Sequence, residues 1–390
     1  MHAKVLMTSI FLIFKIEKIR HDILQQLVQI MESQLELEGL GKEKRVNTYH
    51  HTELDKIKEY FQQYGYVVIT DVITANDIEN TISEICQNPA LLGDFDLDIN
   101  KPENWDKVYI GDRGFVDVAD AKNHSEVELE WFWKNRQHPN IVKSFENIFG
   151  SKDILLNVDR ASVIRPTKGP FGNPDWKTKE SWLHWDKNPW KYPTFNKVQG
   201  LLTLSDHTED SGGFCCVPGF HHELLEWGQK NLEYKKNNEY HPIVMVPKED
   251  EMQQRIKKIL APAGSLIIWD SGLPHCNYPN TGYNFRIAQY ITFEVRNDNS
   301  DRIYGNLKTN FFEAKVFKNQ KFTQIITPLG RQITNFDEFE KLYNVTEKDV
   351  EAWKELCKAT DCEKAGKHNE SIVHYTKASK LSKLLNEIYL

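Results

Sequence analysis

The sequence predicts a mainly β protein with flanking helices, its centre a double-sheet jelly roll. Three observations carry that expectation. Eight or so short apolar, β-branched runs are set apart by Gly, Pro, Asn and Asp turn signals. No regular βαβ alternation accompanies them. The residues best suited to chemistry fall on separate strands, and a double-sheet fold brings such strands together.

Taken in order, residues 1–48 read as a helix followed by a charged linker around GLGKEKRVNTYHH. Val5 to Phe14 imitates the apolar part of a signal peptide, but no small-residue cleavage site follows. KIEKIRHDILQQLVQI instead keeps apolar residues at helical spacing, so a helix is expected, with Met7 and Met31 as alternative starts. Thr52 to Tyr64 has helical spacing with Thr52 as N-cap and Gly65 as terminator. Tyr66 to Ile73 reads as a strand, and Thr74 to Asp77 opens the helix IENTISEICQ. Residues 88–123 are rich in Asp, Gly and Asn, and suit either a loop over a site or a surface insertion. Glu126 to Phe149 is helical with a break near Pro139, Ile154 to Pro166 is a strand or strand pair, and 167–180 is a lip loop.

Beyond a loop at Asn188-Pro189-Trp190, Val198 to His207 reads as a strand and TEDSGG as a turn. GFCCVPGF is a strand with a Pro-Gly end, His221 to Asn231 a short helix, and His241 to Pro247 a strand. Glu249 to Pro262 looks helical, and Ser265 to Asp270 and Phe285 to Val295 are the last two strands. Residues 297–345 are polar and irregular, and the end of the chain reads as two or three helices. One stretch there, KAGKHNESIVHYTKASKL, has the look of a single tetratricopeptide unit, but one copy makes no solenoid, so a packing appendage is expected. The expected organisation is therefore an N-terminal helix and linker (1–48), a jelly-roll domain with its helical flank (49–300), and a C-terminal appendage (301–390).

Composition narrows the function. Hydrophobic residues at 40% and charged ones at 27% are ordinary for a soluble globular chain. A net charge of −7 argues against a general nucleic-acid binder, which shows a basic face. No apolar run approaches the ~20 residues of a membrane span. The six cysteines (86, 215, 216, 276, 357, 362) form no CxxC pair, and reduced thiols are expected. The final tripeptide is not of the peroxisomal type, so a cytoplasmic location is the default expectation.

Two stretches carry the chemistry. In SWLHWD, residues i and i+2 of an extended strand share a face, so His184 and Asp186 can meet one ion while Trp185 turns away. In GSLIIWDSGLPH, a buried strand leads to His275. Two His and one carboxylate leave three metal positions open, the ligand set of non-haem Fe(II) oxygenases. A turn at Asn280-Thr281-Gly282 suggests a hairpin that returns Arg286, eleven residues after His275, to the same neighbourhood. There its guanidinium fork suits a carboxylate.

From about Tyr60 to Arg296 the chain resembles the phytanoyl-CoA dioxygenase-like family of Fe(II)/2-oxoglutarate oxygenases. YGYVVITDVITANDIENTISEI, the His184-Trp185-Asp186 triplet, GGFCCVPGFH, GSLIIWDSGLPH and the His275-to-Arg286 spacing carry the resemblance. It implies a double-stranded β-helix, cupin-like core, with Fe(II) on His184, Asp186 and His275. It implies 2-oxoglutarate chelating the metal, with its distal carboxylate on Arg286. It implies too a hydroxylase of a small or lipid-like molecule that uses O2 and releases succinate and CO2. A carboxylate at Asp186 favours hydroxylation over the halogenation of relatives with a small residue there. Asn277 and Gln199 are further candidate contacts to 2-oxoglutarate or to the ligands. His207 and His241 read as ordinary surface or core residues, and His221 and His222 as shapers of the Pro-Gly turn. Core packing explains Trp269 and Trp185 as well as stacking does; Arg160, Arg165 and Lys168 suit either an anionic substrate or a solvated face. Two rivals stay open: a 2-oxoglutarate-independent metal oxygenase, which has no need of Arg286, and a non-catalytic scaffold, which has no need of the four site residues together.

Overall fold

The computed structural model describes residues 47–87, 97–99, 101–108, 110–116, 129–192, 197–238, 240–296, 324–342 and 344–389. The helix expected at the N-terminus lies outside them. Fourteen strands occur among the described residues: β1 Thr48–His50, β2 Tyr66–Thr70, β3 Phe115–Val116, β4 Ile154–Asn157, β5 Ala161–Ile164, β6 His184–Trp185, β7 Val198–Thr203, β8 Gly213–Cys216, β9 Val244–Met245, β10 Lys257–Lys258, β11 Leu266–Asp270, β12 His275–Tyr278, β13 Arg286–Tyr290 and β14 Thr292–Val295. Seven make one sheet in the order β1-β2-β11-β7-β13-β5-β3, and five make another in the order β10-β8-β12-β6-β9, while β14 pairs with β4. This is the mainly β, jelly-roll type of core that the sequence predicts, with sheets that stay open at their edges.

Strand periodicity divides the large sheet into two faces. Val67 and Ile69, Ala161 and Val163, Val198 and Leu202, Leu266 and Ile268, and Ile287 join the main hydrophobic core. Their alternates Ser162, Gln199, Trp269, Arg286 and Tyr290 turn to the other side, towards the small sheet. Contacts across the gap show it: Trp269 packs on Phe214 and His275, and Asn277 Nδ2 donates to the Tyr290 hydroxyl at 3.2 Å.

Four helices cover the core face: α1 Leu54–Tyr64, α2 Ala75–Gln87, α3 Glu130–Arg136 and α4 Pro139–Phe149. Ile57 and Phe61 of α1, Ile85 of α2, Phe132 and Trp133 of α3, and Ile141, Val142 and Phe145 of α4 are buried in it. The α1 N-cap is Glu53 rather than Thr52, whose hydroxyl instead meets His50 Nδ1 at 2.8 Å. Thr74 and Asp77 cap α2 reciprocally, each side chain accepting from the other's backbone N–H. Gly200 is a close approach on the core face: a Cβ there would lie 2.5 Å from the Ile291 carbonyl oxygen and 2.6 Å from the Phe145 ring. The helices can seat against β7 only because that side chain is missing.

Four expectations are corrected. Thr48–His50, read as linker, pairs in parallel with β2 as an edge strand. Glu249 to Pro262 is not a helix: a 3-10 turn at Glu251–Arg255, capped by Asp250, gives way to β10 on the edge of β8. Pairing with an open edge overrides helical spacing there. Phe285 to Val295 is two strands broken at Ile291, β13 in the large sheet and β14 on β4. Finally, β12 and β13 form no hairpin, because the intervening turn carries the chain from the small sheet to the large one.

The short helices α5 Leu224–Lys230 and α6 Leu232–Asn238 follow β8. After residue 323 come α7 Pro328–Thr334, α8 Phe336–Leu342, α9 Glu347–Lys364, α10 His368–Leu381 and α11 Lys383–Tyr389. Phe336, Phe339, Trp353, Ala378 and Leu385 belong to the same hydrophobic cluster as the sheet-covering helices, so the C-terminal helices pack on the core. All six cysteines are free thiols, as expected.

Candidate metal centre

His184 lies on β6 and His275 on β12, directly opposite each other in antiparallel register. Asp186 follows β6 on the face of His184, while Trp185 turns away into a cluster with Phe220 and Trp227 and donates its indole N–H to the Gly272 carbonyl at 3.2 Å. One nitrogen of each imidazole and one Asp186 oxygen lie within 4.8 Å of one another. Asp186 Oδ1 is 3.2 Å from His184 Nε2, and Oδ2 is 3.5 Å from His275 Nε2.

The tautomers follow from the backbone. His184 Nδ1 faces the Trp182 carbonyl at 3.1 Å and His275 Nδ1 faces the Leu273 carbonyl at 3.0 Å. A carbonyl only accepts, so each Nδ1 carries a hydrogen and each Nε2 faces the carboxylate. Two imidazole nitrogens and a carboxylate converging on one small space are held there by a shared proton or by a cation between them. The residues present therefore fit a metal, in the two-imidazole, one-carboxylate set suited to non-haem iron.

Electrostatics agree. Burial pushes the His184 imidazole below its ordinary range, only partly offset by Asp186, which keeps it neutral and able to donate a lone pair. Burial acts to raise the Asp186 carboxyl, but the two imidazoles outweigh it and hold the group well below the usual carboxylate range. Gln199 on β7 reaches across from the large sheet: its Nε2 donates to Asp186 Oδ2 at 2.6 Å, and its Oε1 accepts from the Ser271 hydroxyl at 3.3 Å. Such outer partners orient a ligand and are worth about 10–100-fold in metal affinity. Gln199→Ala is expected to weaken iron binding by roughly that factor, read by titration against a competing chelator. An unchanged affinity would leave Gln199 as wall only.

The triad opens on a cleft of about 140 Å³ whose walls include Trp182, Phe214, Trp269, Asn277 and Tyr290. Trp182 stacks on His184 with centroids 4.9 Å apart and planes at 15°. Asn277 faces the cleft as the strand alternation requires. Arg286 is completely buried on β13: its Nε donates to His207 Nε2 at 3.0 Å and its Nη1 to the Ser162 hydroxyl at 2.6 Å, while Nη2 has no partner. Burial and the adjoining guanidinium keep His207 neutral. The small sheet thus supplies the imidazoles, and the large one supplies Gln199, Tyr290 and Arg286.

His221 and His222 stay out of the triad, each ring meeting the Gln62 carbonyl at 3.1 Å. Arg165 also stays out, its Nη1 donating to the Trp105 carbonyl at 2.8 Å under the Trp176 ring. Sequence reasoning missed His207, Ser162, Tyr290 and Trp182. For Trp182 a signal existed, since it precedes His184 by two and shares its face. His207 offered none, because its partner lies 79 residues on.

Among solved structures, GlcNAc Inducible Gene 2 from Candida albicans aligns with a TM-score of 0.49 at 15% identity, over 91% of this chain and 93% of that one. The epimerase SnoN, solved in complex with Fe3+, alpha ketoglutarate and nogalamycin RO, aligns with a TM-score of 0.40 at 13% identity, over 62% of this chain and 84% of its own. A Dictyostelium discoideum protein named "Putative phytanoyl-CoA dioxygenase" is 28% identical over 272 residues, 60% of this chain and 73% of that protein. The family model Phytanoyl-CoA dioxygenase (PhyH) matches residues 61–288, more than half of the chain and the span that holds His184, Asp186, Gln199, His275 and Arg286. The chain belongs to the phytanoyl-CoA dioxygenase family.

Proposed function

We propose that the protein hydroxylates an unactivated C–H bond of a small or lipid-like molecule, using 2-oxoglutarate and O2. One oxygen atom enters the product alcohol and the other enters succinate, with CO2 released. Iron and 2-oxoglutarate are the metal and cosubstrate of this family. The observation that carries the reading is the convergence of three metal-competent atoms within 4.8 Å at the floor of a walled cleft. Iron, when bound, activates O2 and couples decarboxylation of 2-oxoglutarate to oxidation of the substrate.

The chain's own residues do the positioning. His184 and His275 present lone pairs from two neighbouring strands, Asp186 supplies the negative charge, and Gln199 holds that carboxylate in place. Arg286 takes the distal carboxylate of 2-oxoglutarate. Its recorded hydrogen-bond acceptors among the described residues are an imidazole and a hydroxyl, not an anion. A buried charge without a counter-ion is costly, and an incoming dicarboxylate relieves that cost. Asn277 and Tyr290 wall the path from the triad towards Arg286, and Trp182, Phe214 and Trp269 keep bulk water from the reacting carbon.

The test is anaerobic titration with Fe(II) and 2-oxoglutarate, watching for the weak visible charge-transfer band of the chelate. The band is expected in the wild type and absent in His275→Ala, with succinate formed once air is admitted. Iron binding with no band at saturating 2-oxoglutarate would overturn the cosubstrate assignment.

A further inference from the structure

Arg113 and Arg160 both line the cleft that opens on the triad. Each guanidinium lies over an aromatic wall: Arg113 is 5.0 Å from the centroid of Trp182, and Arg160 is 5.3 Å from that of Phe115. A guanidinium held by its face keeps its N–H edge for an in-plane acceptor. Arg160 Nε meets its neighbour Asp159 at 3.2 Å. The Arg113 Nε is buried with no hydrogen-bond partner among the described residues.

A second observation points the same way. Of the described residues that line the cleft, three carry a buried polar side-chain atom with no partner among the described residues: Arg113 Nε, Trp182 Nε1 and Trp269 Nε1. Trp182 is 4% exposed and Trp269 is 1% exposed. All three atoms are donors. Buried donors are normally satisfied, so the wall is complementary to an acceptor-rich ligand. The cleft carboxylates are Asp186, which faces the two imidazoles, and Asp159, which pairs with Arg160. The cation left over on this wall is Arg113, whose ring partner Trp182 itself stacks on His184.

We propose that Arg113, with Arg160 beside it, forms an anion subsite at the cleft wall, and that the substrate carries a carboxylate or phosphate that docks there. This deepens the oxygenase reading and rests on it for the word substrate. The subsite is separate from Arg286, which sits on β13 and is fully buried. An anion fixed over Trp182 brings the attached carbon chain alongside the His184 edge of the triad, so the oxidised carbon lies a short way from the anionic group. Exposed Ile243 also lines the cleft and offers that chain an apolar rim.

The test is calorimetric, on protein loaded anaerobically with Fe(II) and saturating 2-oxoglutarate. Hexanoate, hexyl phosphate and hexanol are the probes. Binding of at least one anion, with hexanol silent, is expected, and the choice between hexanoate and hexyl phosphate names the anion. In Arg113→Ala the ratio of probe affinity to 2-oxoglutarate affinity falls by about tenfold or more, since a hydrogen bond to a charged group is worth about 1.5–3 kcal/mol. Arg113→Lys keeps part of it and guards against a folding defect, which thermal melting reads directly. In Arg286→Ala the ratio moves the opposite way. Failure of both anions to bind the wild type overturns the subsite. So does a loss in Arg113→Ala that falls on 2-oxoglutarate instead. A parallel titration of metal-free protein with inorganic phosphate, followed by tryptophan fluorescence, separates the two readings: a response lost in Arg113→Ala supports the subsite even where the iron chelate fails to form.

Discussion

Asp186→Ala is expected to abolish iron-dependent turnover and, with it, the stabilisation that iron confers. A ligand that binds only the folded state stabilises by about 2.7 kcal/mol at a hundredfold excess over its dissociation constant. The wild type should gain roughly that on addition of Fe(II) under argon, seen as a rise in melting temperature. The variant should gain nothing. Its metal-free form should melt close to the wild type, because Asp186 takes part in no core contact; its recorded partners are the two imidazoles and the Gln199 amide. Full turnover in Asp186→Ala would remove this residue from the metal site altogether.

Arg286→Ala is expected to raise the 2-oxoglutarate requirement far more than the iron requirement. Truncating one partner of a buried, hydrogen-bonded charge pair costs about 2–5 kcal/mol, which is roughly a thirtyfold or larger rise in the apparent constant for 2-oxoglutarate. Iron affinity without cosubstrate should move little, since Arg286 contacts none of the three ligands in the recorded hydrogen bonds. The split is what identifies the role: a structural ion pair would weaken stability and both requirements together. His207 and Ser162 should reproduce the effect in miniature, since they fix the guanidinium without touching the metal.

The parts of this site that could be read from sequence are those encoded by local period. Two-residue alternation places His184 and Asp186 on one face and Trp185 on the other, and the structure keeps that division. The same alternation puts His275 and Asn277 in the cleft. What could not be read depends on which sheet a strand joins. The expected hairpin between the strands of His275 and Arg286 fails because the turn between them is stabilised by its own side chains: Asn280 Nδ2 donates to the Asn284 carbonyl and Asn280 Oδ1 accepts from the Gly282 N–H. That turn crosses between sheets. His207 was illegible for the same reason, since its meaning lies in a partner on another strand. Lys257 and Lys258, read as part of a helix, sit on an open β8 edge that no local pattern announces.

The hydrogen bond that orients each triad imidazole ends on a main-chain carbonyl two residues earlier, Trp182 for His184 and Leu273 for His275. A carbonyl is present whatever side chain the residue carries. The ring orientations on which the centre depends are therefore insulated from amino-acid replacement at 182 and 273, so long as the backbone stays put. Substrate preference can then drift at Trp182, whose ring forms the cleft wall, without disturbing the imidazole beneath it. One position can be spent on selectivity while its peptide group goes on holding the imidazole.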